Sequence, residues 1–394
     1  MTSDNSLKWE HGKNRQGVIK EILDVCIKTN LIEGYKEGLL KWGEPGYKKD
    51  QFYVQTLIEF KNHEFWALYS STTLRDRMKM VYWDVFNVKR LDENISNCLF
   101  VYPKDCKEVK KFEKLKRDFD AGQIYCNLDY IVSTDELFTL IQEHALNGLS
   151  SGSIKGRRGN NFEKFVSAVL SSKNNLAKLN ETNSLAIGNS FDMFEMVIKK
   201  IQGEESIELT QISKIVATTE VPRLPSGGKP KADVFATIYL KDNIYKEISI
   251  SCKQTNDDWV SVHEYDWKEF SRVLNPNDKK LAMFLSLFQK KGGVQSFGKE
   301  NCDLLENALS PYLEKLNLWV LGGLGGNGTL DVQCAKYILC YNDTNGKFSF
   351  HTIIEYIQLL KEKNVQGQFG TLFKWTYSSG NKGKTIQLKG RVLL

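Results

Sequence analysis

The sequence predicts a mixed α/β protein of the α+β kind: a central mixed cluster of strands flanked by helices, with an additional amino-terminal α/β domain. Three observations lead there. Apolar residues switch repeatedly between the spacing of one helix face and the alternation of a half-buried strand. At 394 residues the chain exceeds the usual size of one domain. The stretch LNGLSSGSIKGRRGNN, residues 146–161, is rich in Gly, Ser and basic residues and separates two periodic regions. The boundary is placed there, giving residues 1–149 and 150–394, and the stretch is also open to reading as a loop that contacts nucleic acid.

In chain order, a helix is expected from about Gly17 to Thr29, then the strand pair FYVQTLIEF and EFWALYSST, a charged helix in KEVKKFEKLKRDFD, and a helix near Thr134 to Ala145. After the boundary, FEKFVSAVLSS has apolar residues at 162, 165, 166 and 169, one face of a helix. Ser190 is the N-cap candidate of the next helix, whose stripe is Phe191, Phe194, Val197, Ile198 and Ile201. A hairpin in KADVFATIYLKDNIYKEISISCKQT comes next, then a helix through KKLAMFLSLFQKK and a strand in LNLWVLGG. The chain closes with a strand in AKYILCYND, a helix near HTIIEYIQLLKEK and a Gly- and Lys-rich hairpin. Gly323, Gly325 and Gly328 fit G-x-G-x-x-G, but the residues after them, TLDVQCAKYIL, alternate like a strand and open no helix, so the motif reads as a turn rather than a dinucleotide site.

Composition narrows the function. No window approaches the ~18 consecutive apolar residues of a membrane span, and the polar start MTSDNSLKWEHGKNRQ has no signal-peptide core, so the cytoplasm is expected. Eight cysteines form no C-x-x-C pair, which argues against a zinc module and for reduced, buried thiols. Net charge is +6, yet residues 361–394 alone hold seven Lys or Arg against one acid. A tail of that kind attracts polyanions, nucleic acid first.

The hairpin carries the chemistry. Residues two apart on a strand share a face, so Ser251 and Lys253 point one way, and pairing through a turn near Lys241 to Asn243 would bring Asp233 to meet them. A carboxylate beside a lysine and a small polar group suits metal-assisted phosphodiester hydrolysis: the Asp and the Cys252 carbonyl hold a hard cation such as Mg²⁺, and the Lys acts on the attacking water. Spacing alone favours a solvated hairpin over catalysis.

The segments GGKPKADVFATIYL, ISCKQTNDDWVSVHEYD and FGTLFKWTYSSGNKGKTIQLKG, with a fainter RRGNNFEKF, resemble the PD-(D/E)xK nucleases and, among them, the MspI-type type II restriction endonucleases, over roughly residues 150–394. The resemblance implies a restriction-endonuclease-like fold, double-stranded DNA as partner, Mg²⁺ as cofactor, and cleavage of the palindrome CCGG after its first C. It implies that Asp233 and Lys253 are the catalytic pair and that Ser251 stands where the general pattern has Asp or Glu and the MspI type has Asn. A hydroxyl is a weaker metal ligand than a carboxylate; Glu163 is either the helix acid that supplies the missing charge or a solvent-facing glutamate. A DNA-binding protein with a decayed site is the competing reading.

The resemblance also implies base-reading roles for Ser261 and Glu264 after the catalytic strand, and for Thr376, Ser379, Gln387 and Lys389 at the C-terminus. Gln387 and Lys389 share a strand face, with Ile386 and Leu388 anchoring the other; Lys382 and Lys384 suit phosphates. A cognate methyltransferase would protect host DNA without needing to bind the protein, and the chain could act as a monomer or a homodimer. For residues 1–149 there is only an echo: Asp50, like Asp233, is followed two residues on by Phe and then by an apolar run, ending at Ser71, Thr72 and Thr73 where the later copy has Lys253. That domain is either a degenerate nuclease-like copy or a coincidence of hairpins.

Overall fold

A computed structural model describes residues 4–42, 52–124, 127–180, 187–225, 228–242, 244–326 and 332–394. They divide into two compact units, Met1–Glu195 and Met196–Leu394.

The first unit opens with helix α1 (Asp4–Lys28), then β1 (Gly34–Trp42), β2 (Phe52–Glu59), β3 (Phe65–Ser70), α2 (Arg75–Leu91), β4 (Ile95–Tyr102), α3 (Val109–Asp120), β5 (Tyr130–Ser133), α4 (Thr134–Leu146), α5 (Ser151–Ser171) and α6 (Lys173–Asn180). Its sheet runs β1-β2-β3-β4-β5. The first two pairings are antiparallel and the last two parallel. Parallel strands are covered on both faces, which is why β4 reads as the apolar run CLFVY with no alternation. The lysines of α3 pair with acids of the same unit, Lys111 with Glu108, Lys114 with Asp118 and Lys116 with Asp120, as a solvated helix does.

Helix α7 (Phe191–Glu205) crosses the division between the units. The second unit continues with β6 (Ile212–Thr218), β7 (Val234–Leu240), β8 (Tyr245–Thr255), β9 (Trp259–Tyr265), a run of helices α8 (Trp267–Leu274), α9 (Lys279–Lys291), α10 (Val294–Phe297), α11 (Lys299–Leu309) and α12 (Leu313–Gly322), then β10 (Tyr337–Asn342), β11 (Phe348–Thr352), α13 (Ile353–Glu362), β12 (Phe373–Thr376) and β13 (Ile386–Arg391). Its main sheet is β11-β10-β8-β7-β6, parallel only between β8 and β10. A second, antiparallel sheet is β12-β13-β9. Trp375, Phe373, Ile386 and Leu388 of that sheet enter one core with Phe270 of α8 and Phe288 of α9. The shortest passage of the chain from one sheet to the other is Asn256–Asp258, between β8 and β9.

Two expected elements differ. The Gly- and Ser-rich stretch 146–161 is not a loop: α5 begins at Ser151, with Ser150 as its cap accepting from the Ser153 amide. Its buried half, Phe162, Phe165, Val166, Val169 and Leu170, anchors a helix that its glycines would not hold alone. The division of the compact units falls in α7 instead. The apolar run LNLWVLGG is the end of helix α12, not a strand; it is buried nearly all round, so period could not tell the two apart. Gly323 is that helix's left-handed cap, φ +79, which accounts for the first glycine of the false nucleotide motif. Gly328, Asp50 and Cys126 lie outside the described residues. Among the described residues no helix is long and apolar enough to cross a membrane.

Candidate active site and nucleic-acid interface

Strands β7 and β8 pair with Val234 opposite Ile250, so Asp233 lies at the mouth of the hairpin beside Ser251. Its Oδ2 accepts three hydrogen bonds: from the Cys252 amide at 2.8 Å, from Lys253 Nζ at 3.0 Å and from Ser251 Oγ at 3.1 Å. Lys253 Nζ also donates to the Cys252 carbonyl at 3.0 Å. Alternation on β8 aims Ser251 and Lys253 at one face, while Ile248, Ile250 and Cys252 are buried in the unit. The Lys253 and Asp233 side chains keep 16% and 21% of their surface, enough for a substrate to reach them but too little for bulk water to screen the pair fully. Ser251 is fully buried. Its hydroxyl is spent on Asp233.

Two neighbours carry no signal that the sequence reading used. Lys231 lies two residues before Asp233, in the segment that leads into β7. It is half-buried by surface, but its ammonium lies deep. Burial first, then the nearby Lys253, push its pKa down to about 7, against the pull of Asp233. It donates to the Val262 carbonyl on β9. The strand that bears Asp233 is thereby tied to the second sheet. His263, buried among Trp319, Tyr265 and Phe270 with ring centroids at 4.0, 4.7 and 5.5 Å, is held well below its ordinary pKa by burial and then by Lys231. Its place two residues before Asp233 could have marked Lys231; nothing local marks His263.

The second sheet gathers most of the expected DNA-reading residues. Register sets Ser261 opposite Lys389, Glu264 opposite Gln387, and Thr376 opposite Gln387 on its other side. Gln387 and Lys389 are half-buried and alternate with the fully buried Ile386 and Leu388. Ser379, Lys382 and Lys384 are exposed in the connection between β12 and β13. Glu264 is the centre of this group. Its Oε1 accepts from Ser378 Oγ at 2.5 Å, Thr385 Oγ1 at 2.8 Å and Asn381 Nδ2 at 3.2 Å, and its Oε2 from Gln387 Nε2 at 3.3 Å. Burial would raise its pKa, but these donors together bring it below the ordinary value. Ser378, Asn381 and Thr385 were not singled out in the sequence, because they are loop residues whose meeting on Glu264 depends on the folded turn. Beside them Lys374 covers the Trp259 ring at 4.2 Å.

Glu163 is half-buried on α5 in the first unit, whereas Asp233, Ser251, Cys252 and Lys253 belong to the second.

The model of the family of restriction endonuclease MspI matches residues 137–390. The chain is 28% identical to the type II restriction enzyme BsuFI of Bacillus subtilis, with 99% of each chain covered, so the amino-terminal residues have a counterpart there too. It is 21% identical to the type II restriction enzyme MspI of Moraxella sp over 63% of this chain and 93% of that one. The crystal structure of MspI with its cognate DNA covers 72% of this chain and 99% of its own at a TM-score of 0.52 and 19% identity, a likeness of fold. With a family match over most of its length, the chain belongs to the MspI family of restriction endonucleases, type II enzymes that are site-specific deoxyribonucleases.

Proposed function

We propose that the protein hydrolyses double-stranded DNA at CCGG, between the two cytosines, with Mg²⁺ as cofactor. The observation that carries this reading is the meeting of Ser251, the Cys252 amide and Lys253 on one oxygen of Asp233. The donors there suit a hard cation: a carboxylate oxygen of Asp233 and the Cys252 carbonyl would hold it. Among the described residues no three His, Cys, Asp or Glu side chains gather at one point, so further ligands would be water and phosphate oxygens. When bound, such an ion polarises the phosphate and lowers the pKa of a bound water. Lys253 bonds both oxygens that would hold the ion, so it would have to share or release them for an ion to be held there. The lysine takes a proton from the water or steadies developing charge. Ser251 fixes the Asp233 carboxylate rather than adding charge.

Residues 150–394 do the cutting and the reading in this proposal. Lys389 and Gln387 address base edges with Ser261, Thr376 and Ser379 beside them, while Lys382 and Lys384 take phosphates. Glu264 shapes the segment that presents them. A palindrome suits one chain or a two-fold pair, a partner methyltransferase shields host DNA, and the enzyme works in the cytoplasm. The test is a plasmid of known sequence incubated with the purified protein and Mg²⁺, its fragment ends sequenced. Ends at C^CGG are expected. Ends elsewhere would discard the site, and retention of a CCGG duplex without cutting would establish the decayed, binding-only protein instead.

A further inference from the structure

The two main sheets share a plan. In the first unit, β1-β2-β3-β4 pair antiparallel, antiparallel, then parallel. In the second, β6-β7-β8-β10 pair in the same senses in the same order. A helix precedes each set, α1 and α7, and helices separate the third strand from the fourth, α2 in one and α8 to α12 in the other. Two features differ: the second unit inserts β9, a strand of its other sheet, between β8 and the helices, and the outermost strand is parallel in one sheet, β5, and antiparallel in the other, β11.

The likeness extends to hydrogen bonds. Val234 opposite Ile250 sets Asp233 against Ser251, and Asp233 takes the amide of the next residue, Cys252. Thr56 opposite Leu68 sets Gln55 against Tyr69, and Gln55 Oε1 takes the amide of the next residue, Ser70, at 2.6 Å. Each acceptor also takes a serine hydroxyl at 3.1 Å, though from different register positions: Ser251 stands opposite Asp233, whereas Ser70 is one residue past Tyr69, which stands opposite Gln55. One residue further stand Lys253 and Ser71. Ser71 is buried, and its Oγ donates to the Thr73 carbonyl at 2.8 Å and accepts from the Thr73 amide. Register therefore assigns the place of Asp233 to Gln55, not to Asp50.

We infer that the first unit is a second copy of the cutting fold, silenced by exchanging its acid for Gln55 and its lysine for Ser71, so that it binds no divalent cation. This rests on the role given above to Asp233. Gln55 opens onto a cavity of about 320 Å³, lined by Gln16, Glu37, Gly38, Gln55, Thr56 and Ser70 among others. Glu37, the carboxylate of that lining, pairs with Lys20 at 3.4 Å. A carboxamide oxygen brings no net charge to a hard cation, and the remaining lining groups are hydroxyls, amides and backbone.

The test tracks Mn²⁺ alone by electron paramagnetic resonance in the full-length chain. Wild type is expected to bind the ion, Asp233→Asn to lose it, and Asp233→Asn with Gln55→Glu, a change that trades the side-chain nitrogen for an oxygen, to regain about one ion per chain. Thermal unfolding shows that the last variant is folded. Binding that survives Asp233→Asn and disappears with Gln55→Ala would overturn the inference, since the first unit would then already be a metal site. So would a folded Gln55→Glu variant that takes no ion. If wild type binds no Mn²⁺ and Asp233→Asn changes nothing, the reading of Asp233 fails, while the Gln55→Glu arm still tests the silent copy.

Discussion

Asp233 and Glu264 are both carboxylates that collect donors from their surroundings, and they do so in different ways. Asp233 collects its three from a single strand, through the two-residue period of β8, and one of them is a cation. Glu264 collects four neutral donors, three of them from the turn between β12 and β13 and the fourth, Gln387, from β13. A carboxylate facing a lysine in a partly dry site keeps a charge available for chemistry. One saturated by hydroxyls and amides holds a shape. The proposed cutting centre is thus built by strand geometry and the proposed reading surface by a braced turn, so the two should fail differently when damaged.

The sharpest break between them comes from Lys253→Ala. Single-turnover cutting should fall by at least ~10²–10³, the scale of losing one preorganised charge contact, while binding to a CCGG duplex without metal stays within a few-fold. Asp233→Asn should cost a similar factor and be partly relieved by raising Mg²⁺. Unimpaired cutting by either variant would remove the hairpin from the chemistry.

Glu264→Ala should show the opposite pattern. With the turn unbraced, cognate binding is expected to weaken by ~1 kcal/mol, the low end for polar groups that are half exposed, and cutting at saturating protein should be nearly unchanged. Titrations on cognate and single-substitution duplexes would reveal it; a loss confined to the cutting step would mean that Glu264 belongs with Asp233. Within the reading surface, Lys389→Ala should reduce discrimination at one base pair by ~1–3 kcal/mol, whereas Lys384→Ala should weaken all sequences alike and lower the salt slope by about one. Identical isotherms across a salt series would leave that hairpin gripping only the backbone.

The smallest effect concerns Lys231, which links the two regions. Its folded pKa of about 7 lies below the ordinary lysine value of 10.5, so between those limits the unfolded chain holds a proton that the folded chain has released. Stability should therefore rise with pH through that window. Lys231→Met removes the dependence: its advantage over wild type should be largest at and below pH 7 and fade towards pH 10, as monitored by thermal unfolding. A difference that does not vary with pH would place the ammonium in water.

Strand alternation made the hairpin legible, because Asp233, Ser251 and Lys253 come from counting by two, and the buried stripes of α5 and α7 come from counting by three and four. The bracing of Glu264 was not legible, since Ser378, Asn381 and Thr385 lie in a turn with no period of their own. Helix α12 misread as a strand for a related reason: burial on every side erases the pattern that distinguishes the two. In the first unit the echo between the hairpins was visible, but its alignment was not. Flanking Phe residues matched Asp50 to Asp233, whereas the ladder matches Gln55.

Asn256–Asp258 is all that separates β8 from β9. From Thr255 to Trp259 the chain has four peptide steps, at most about 14 Å fully extended. The lysine proposed to act on the scissile bond and the first serine proposed to touch a base are thus mounted on one short ruler. With the roles proposed above, the offset between the bases read and the bond cut depends on this link and on the Lys231 contact to the Val262 carbonyl, so lengthening the link while releasing that contact is the change expected to move the cut.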